Sequence, residues 1–503
     1  MEAIKRIKSQ RKGFRELAEN VLLWVTCAKR LLTTSELQHG LAVKAGKSSI
    51  DENDLEDVNQ VVSLCAGLVT IDEESDIIRV VHDTTREYLQ DHVFRLIPGS
   101  EEKDAAIPVV QKQKNSVATG FAHSAIAVAC ITYLSYDIFK SGHCHTDVDF
   151  KERLRSYPFY GYAAQNWGHH ARGTSMESEQ LTLDFLQNNT KVSASSQAIL
   201  DSRDYAGHHL GVKDTMIGVH HTAYFGLQKA IEILLSEGYY ADLKDAYGWT
   251  PLSWAARKGC ESIARLLLKR EDVEPDFRDN NGRTPISWAA EKGHLPLVEL
   301  LVATRGVNPD FPDLKGQTPL SWAAENGHAG VVELLLCSNR VNVNSADFEY
   351  HQTSLLWAAE NGHSGVVEQL LKDKDIKPNH ENIDGETALW LAAENNHQTV
   401  FQLLLENGVT TEVKNKDGQT MLYWAIENNH PTIIQLLLEK GVKTEVQNKD
   451  GQTLLWLAAE NNHQAVFQLL LENGVTTEGK NKDGQTMLYW AIENNHPTVT
   501  QLL

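Results

Sequence analysis

The stretch TPLSWAAENGHAGVVELLL, residues 318–336, decides the fold, because its opening recurs down half of the chain. Thr begins the same motif at 250, 284, 318, 353, 387, 420, 453 and 486, with spacings of 34, 34, 35, 34, 33, 33 and 33 residues. A period of this length marks stacked supersecondary units, none of which buries its apolar face alone. The chemistry inside each unit reads in order. The Thr hydroxyl caps a first helix, and Pro251, Pro285 and Pro319 sit in the first turn, where no intrahelical amide is lost. Paired alanines such as Ala255-Ala256 and Ala323-Ala324 favour helix and let neighbouring helices approach. Nine places after each Thr stands Gly259, Gly293, Gly327 or Gly362, then Asn396, Asn429, Asn462 or Asn495, residues that tolerate the left-handed conformation ending a helix. A second helix follows, with Val400, Leu403 and Leu404 at i, i+3, i+4 as one example.

These residues resemble the ankyrin repeat: a β-turn finger, a helix opened by a TPLHxAA-like motif, a turn, and a second helix ending in LLL. The likeness spans 217–503, about nine repeats, the first degenerate (IGVHHTAYFGLQKAIEILLSEG from Ile217) and the last stopping inside its second helix at Leu503. The expected consequence is fraying or self-association at that uncapped end, or a longer natural product. The family His three places after Thr is replaced by Ser, Leu, Trp or Tyr, which puts in question the turn-stabilising hydrogen bond that the resemblance implies there. Seven histidines ten places after Thr, His294 to His496, survive; at this pitch they cannot converge on one metal, so a turn role is expected. Eight tryptophans (Trp254, Trp288, Trp322, Trp357, Trp390, Trp424, Trp456, Trp490) stand three or four places after Thr. They are read as core between the two helices, with a hot-spot stripe as the competing reading. Residues 387–419 and 453–485 differ only at Ala388/Leu454, Thr399/Ala465 and Val413/Gly479, so a two-repeat block was copied.

The resemblance also places ligand contacts, at the finger tips and the end of the first helix. Carried over, these are Glu291, Glu325, Asn326, Glu360, Asn361, Glu394, Asn395, Glu427, Asn428, Glu460 and Asn461 on the concave face, with Tyr247, Lys416, Asp417, Lys449 and Asp450 on the fingers. Layers packed roughly 8–10 Å apart put the carboxylates about one Debye length from each other, so their fields partly add. A basic or amide-rich protein partner follows as the expectation; the plainer alternative is a solvated helix face.

The rest of the chain sets bounds. Its 503 residues suggest two to four folding units, and a composition 42% apolar and 23% charged is that of a folded globular chain. With 47 basic against 67 acidic residues, net −20, no counterion-releasing surplus favours nucleic acid. Six scattered cysteines without a CxxC pair indicate neither a disulfide scaffold nor a zinc ribbon and suit a reducing cytosol. The run from Ala118 to Tyr136 is read as a buried helix, since His123 and its many small residues do not suit a membrane span.

From Phe14 the pattern is three helices, with Thr33 and Glu36 in capping-box spacing and a third helix near 54–65, then two short β-rich runs, LVTID and IIRVVH, split by EESD, and a final short helix. That is a winged-helix arrangement. WVTCAKRLLTTSELQHGLAV, VSLCAGLVTIDEESDIIRVVHDTTREYL and YPFYGYAAQNWGHH look like the winged-helix segment of fungal nucleotide-binding (NACHT) receptor-like proteins carrying ankyrin arrays, over about 14–200. The resemblance places a nucleotide-binding module upstream of this chain. The same winged helix is related to a segment of a GPI inositol-deacylase, but no G-x-S-x-G nucleophile elbow is present, so no hydrolase activity is carried over. The helix that would enter a DNA groove, near 54–65, carries Asp54, Glu56 and Asp57 just after Asp51 and Glu52 and would be repelled by phosphates. The stretch from Gly40 to Ser48 ends like a phosphate loop, yet has five residues between its glycines and a helix where a strand is needed. His143-Cys144-His145, with Cys130, His169-His170 and His208-His209 lack a second spaced ligand pair.

The reading is a mainly α chain: tail 1–13, winged helix 14–95, helical linker or cap 96–216, and ankyrin solenoid 217–503. It is expected to be a non-catalytic protein-binding scaffold, without cofactor, metal, nucleic acid or membrane, cytoplasmic or else nuclear. The alternative is a nucleic-acid-associated regulator using the winged helix.

Overall fold

The computed structural model describes residues 2–92, 108–172, 176–200, 216–414, 418–444, 453–477 and 484–503. They form two compact units, Met1–Glu274 and Pro275–Leu503. The predictions at Lys416, Asp417, Lys449, Asp450 and His208-His209 lie outside the described residues.

The first unit opens with α1 (Glu2–Lys8), inside the stretch read from sequence as a tail; Ile4 and Ile7, one helical turn apart, are buried and α1 packs on α2 (Lys12–Cys27). Strand β1 (Leu32–Thr33) leads into α3 (Thr34–Ala42), whose capping box closes as Glu36 N–H donates to Thr33 Oγ1 at 3.2 Å and Thr33 N–H donates to Glu36 at 2.9 Å. Arg30 adds a forked pair to Glu36 at 2.6 and 2.8 Å. The phosphate-loop look-alike opens inside α3, at Gly40, and leaves the helix after Ala42, so a helix precedes its turn where a strand would be needed. The helix expected near 54–65 is shorter. Asp51 takes the Asn53 amide and sets a 3-10 turn at Glu52–Asp54, and Asp57 takes the Gln60 amide, so α4 begins only at Val58 and runs to Leu64. Strands β2 (Val69–Asp72) and β3 (Ile77–Val80) pair antiparallel, Ile71 opposite Ile78, and β1 adds to β3 in the order β1-β3-β2. This is the winged helix, followed by α5 (Asp83–Asp91).

Beyond it come α6 (Pro108–Leu134), α7 (Asp147–Ser156), α8 (Phe159–Ala171), α9 (Met176–Leu186) and α10 (Asn189–Leu200). Helix α8 is the hub. Phe159, Tyr160, Tyr162 and Trp167 are fully buried, and α8 packs against α3, α6, α10 and α11 (Gly218–Phe225). Gly168 makes the last contact fit: a Cβ there would stand 2.1 Å from the Phe225 ring. Helix α11 pairs with α12 (Gln228–Ser236), and α13 (Pro251–Lys258) with α14 (Glu261–Leu267), two repeats inside this unit.

The second unit is a run of helix pairs, from Pro285–Glu291 with Leu295–Ala303 to Met487–Glu493 with Pro497–Leu502. First helices stack on first helices and second on second, burying Ile286, Leu320, Leu355, Leu389 and their counterparts. The residue nine places after Thr is left-handed in every unit, with φ from 68° to 78° at the four glycines and 56° to 59° at the four asparagines. Thr capping is partial. Thr250, Thr318, Thr420 and Thr486 accept the amide three residues on, while Thr284, Thr353, Thr387 and Thr453 do not. Among the described residues no helix is long and apolar enough to cross a membrane.

Candidate functional site

Four fingers are each built on one carboxylate. Asp313 Oδ1 accepts the amides of Lys315 and Gln317, both at 2.9 Å, which closes the turn, and Oδ2 accepts the Trp322 indole N–H at 3.2 Å, which ties that turn to the first helix. Asp245 with Trp254 (2.9 Å), Asp279 with Trp288 (3.0 Å) and Asp347 with Trp357 (3.2 Å) repeat the arrangement. The indole four places after Thr thus supplies the helix-to-finger bond that the missing histidine would have made. In the longer Asp347 finger, Asp347 takes the amides of Glu349, Tyr350 and Gln352, and His351 turns left-handed at φ 59° in place of a glycine. Where the finger residue is Asn382, Trp moves one place earlier: Trp390 is 1% exposed and donates to Glu394 at 3.1 Å. Trp390 and Trp456 are core, as expected of the whole set, whereas Trp322, Trp357, Trp424 and Trp490 are only half-buried.

The recurring turn histidines also find their role. His328 Nε2 bonds the Glu291 carbonyl of the preceding repeat at 2.9 Å, His363 that of Glu325 at 3.0 Å, and His397 that of Glu360 at 2.9 Å. Glycine makes room for the ring. A Cβ at Gly327 would lie 2.7 Å from His363 Nδ1. Asn396 carries a real Cβ at that place, and the next histidine, His430, instead stacks on Trp424 at 5.1 Å. After Asn462, His496 likewise stacks on Trp490 at 4.9 Å; after Asn429, His463 reaches Ile426 O through Nδ1 at 2.8 Å.

The predicted contact residues fall at the ends of the first helices, in two environments. Glu291, Glu325 and Glu360 are half-buried, while Glu394, Glu427 and Glu460 are exposed. Most are tied to the finger before them. Glu291 pairs with Arg283 at 2.5 Å, and Gln317, Gln352 and Gln419 donate side-chain amides to Glu325, Glu360 and Glu427 at 2.9 Å. Asn326, Asn361, Asn395, Asn428 and Asn461 donate to the carbonyl four residues back, at 2.9 to 3.0 Å, so their amides cap the helix that carries them. Tyr247 belongs to the first unit, where its amide bonds Asp245.

Sequence reading passed over the residues that make a cavity here. A cleft of about 510 Å³ opens between the fingers and first helices of three successive repeats, lined by Arg283, Asp313, Gln317, Trp322, Glu325, Asp347, Tyr350 and Trp357 among others. Arg283 is 6% exposed, with its guanidinium 3.5 Å from the ring centre of Trp288 and 4.0 Å from that of Trp322. Burial draws its pKa below the ordinary value, opposed chiefly by Glu291. Burial raises that of Glu325, and the neighbouring Glu291 and Glu360 charges add to this against the Gln317 hydrogen bond and Arg283. The signal available in sequence was the residue before each Thr, Arg283 then Gln317 then Gln352, paired with a Glu eight places on.

The first unit holds a smaller cleft of about 260 Å³ beside Arg172, Glu179 and Lys229, where the two charged ends of Lys229 and Glu179 pair at 2.8 Å. His123 and His170 meet through Nδ1 atoms at 2.8 Å, and Tyr162 bonds His170 Nε2 at 2.9 Å. The Cys144 backbone N–H donates to the Gln197 side-chain Oε1 at 2.7 Å, and Gln197 Nε2 donates to the Cys144 carbonyl at 3.0 Å. Among the described residues no group of three or more His, Cys, Asp or Glu is placed to hold a metal.

A helix pair with a β-turn finger, stacked on its copies through such histidines, defines a class of repeat protein. A model of ankyrin repeats in three copies matches residues 219–313, 269–347, 305–382, 355–448 and 440–503, and the winged helix domain of GPI inositol-deacylase matches 5–105. The chain belongs to the ankyrin-repeat family. No curated protein matched it.

Proposed function

We propose that this chain is a protein–protein interaction scaffold, as its ankyrin repeats support: a non-catalytic recognition module that docks a basic polypeptide on its fingers and first helices, within a chain that is part of, or derived from, a fungal receptor-like signalling protein working in the cytoplasm. The modules proposed are those read from sequence, 14–95, 96–216 and 217–503. The observation that carries the docking face is the cleft beside Glu325, an acidic, aromatic hollow in which, among the described residues, the carboxylate is bonded by the neutral Gln317 amide. The acidic run from Asp51 to Asp57 supports leaving nucleic acid aside. Leu488, Tyr489 and Ile492, 46% to 63% exposed in the last repeat, support self-association there, and Ile492→Glu should then lower the sedimentation coefficient.

The test is affinity capture from native cytosolic extract with the full chain and with a variant reversing Glu325, Glu360 and Glu394 to Lys. A protein retained by the first and released by the second supports docking at this face; equal capture refutes it.

A further inference from the structure

Arg283 displays, inside the protein, a way of holding a cation. Its guanidinium lies against two indoles, Trp288 of its own repeat and Trp322 of the next, and pairs with the Glu291 carboxylate. A planar, weakly hydrated cation suits such a place, since it stacks on aromatic faces and still offers forked donors to a carboxylate.

One repeat further the same positions are Gln317, Trp322, Trp357 and Glu325. The two indoles and the carboxylate are kept; the cation is replaced by a shorter neutral amide, which reaches Glu325 at 2.9 Å. The volume that a guanidinium would fill is open, as the cleft of about 510 Å³ lined by these four residues. Its rim carries Tyr350, 47% exposed, and Lys315, whose charge is already met by Glu349 at 3.0 Å. Asp313 and Asp347 spend their oxygens on finger amides and indoles, so Glu325 is the carboxylate left for an incoming charge.

We propose that this cleft is an arginine slot: it receives an arginine side chain of a protein partner between Trp322 and Trp357, with Glu325 as counterion, in the mode Arg283 adopts one repeat earlier. The proposal rests on the docking face above and names the side chain that fills it. Lysine fits less well, because its compact, strongly hydrated ammonium neither stacks as a plane nor bonds as a fork.

The test uses the full chain and three acetylated peptides, alternating glycine with arginine, lysine or citrulline, titrated calorimetrically up to about 1 mM, a range that covers single-anchor affinities. The arginine peptide is expected to bind and the neutral citrulline peptide to bind at least roughly tenfold more weakly, the scale of one charge-assisted pair. Glu325→Gln, which keeps the shape, should weaken the arginine peptide by a similar factor, while Glu299→Gln, on an exposed second helix, should not. Gln317→Arg should fill the slot from within, abolishing binding while leaving the melting temperature unchanged or higher. Equal binding of citrulline, equal effects of E325Q and E299Q, or no binding of the arginine peptide would overturn the slot. A natural partner released by the triple Glu reversal but retained by Q317R would overturn it too, while leaving the docking face standing.

Discussion

Replacing Asp313 by Asn tests the account of how the fingers are built. The carboxylate serves three donors: the Lys315 and Gln317 amides at 2.9 Å and the Trp322 indole at 3.2 Å. An Asn can keep one oxygen on the backbone amides, but then points its own NH2 at the indole N–H. The turn bonds weaken from charge-assisted to neutral, and a half-buried donor is left facing a donor, at a cost of about 1–3 kcal/mol. The chain contains the compensated version. Asn382 takes the Asp384 and Glu386 amides at 3.0 and 2.8 Å, and the residue four places after its Thr is Leu391, which has no polar hydrogen to satisfy. Trp322→Leu should therefore relieve much of what D313N costs. Urea unfolding followed by far-UV circular dichroism on the wild type, both single variants and the double variant closes the cycle, with a coupling of about 1 kcal/mol or more expected. Additive effects, or a D313N cost under about 0.5 kcal/mol, would refute the Asp–indole latch.

Gly327→Ala should destabilise the second unit by about 1–3 kcal/mol, because the residue is at φ 78° and its Cβ would displace His363 from the Glu325 carbonyl; an unchanged urea midpoint would contradict this. Acid should weaken the first unit. Burial holds His170 at about 2, His221 at about 3 and His220 at about 4, all below the ordinary 6.5. The unfolded chain then binds more protons between those values and 6.5, so stability is complete above about pH 6.5 and falls as pH drops, by up to about 1.4 kcal/mol per pH unit for each histidine. Amide exchange in α8 and α11 that is no faster at about pH 5 than at about pH 7, after correction for intrinsic rates, would contradict it.

Repetition made most of the fold legible. The Thr and the Gly or Asn nine places on recur eight times and the paired alanines six times; each is a local signal fixed by its own backbone position, and the recurrence removes ambiguity. Strand β1 was not legible because two residues, Leu32 and Thr33, carry no period; only pairing with Ile77 and Ile78 makes them a strand. The 3-10 turn at Glu52–Asp54 was hidden in an apparently continuous helix, since Asp51 and Asp57 act through caps, not hydrophobic spacing. At the site, sequence placed the Glu row but not what holds it. The Gln317–Glu325 and Asp313–Trp322 pairs join residues eight and nine apart across a finger and a helix, a separation that no helical or strand periodicity encodes. Arg283 was missed because a basic residue before a Thr looks like a solvated turn until the indoles of two repeats close over it.

The most direct test of the docking face is site-specific photocrosslinking of the full chain in extract, with a benzophenone amino acid placed either at Tyr350 on the cleft rim or at Glu333, exposed on a second helix. The account predicts an adduct from position 350 and none from 333, lost on reversal of Glu325, Glu360 and Glu394 to Lys. An adduct from 333 alone, or one from 350 that survives the reversal, would contradict it.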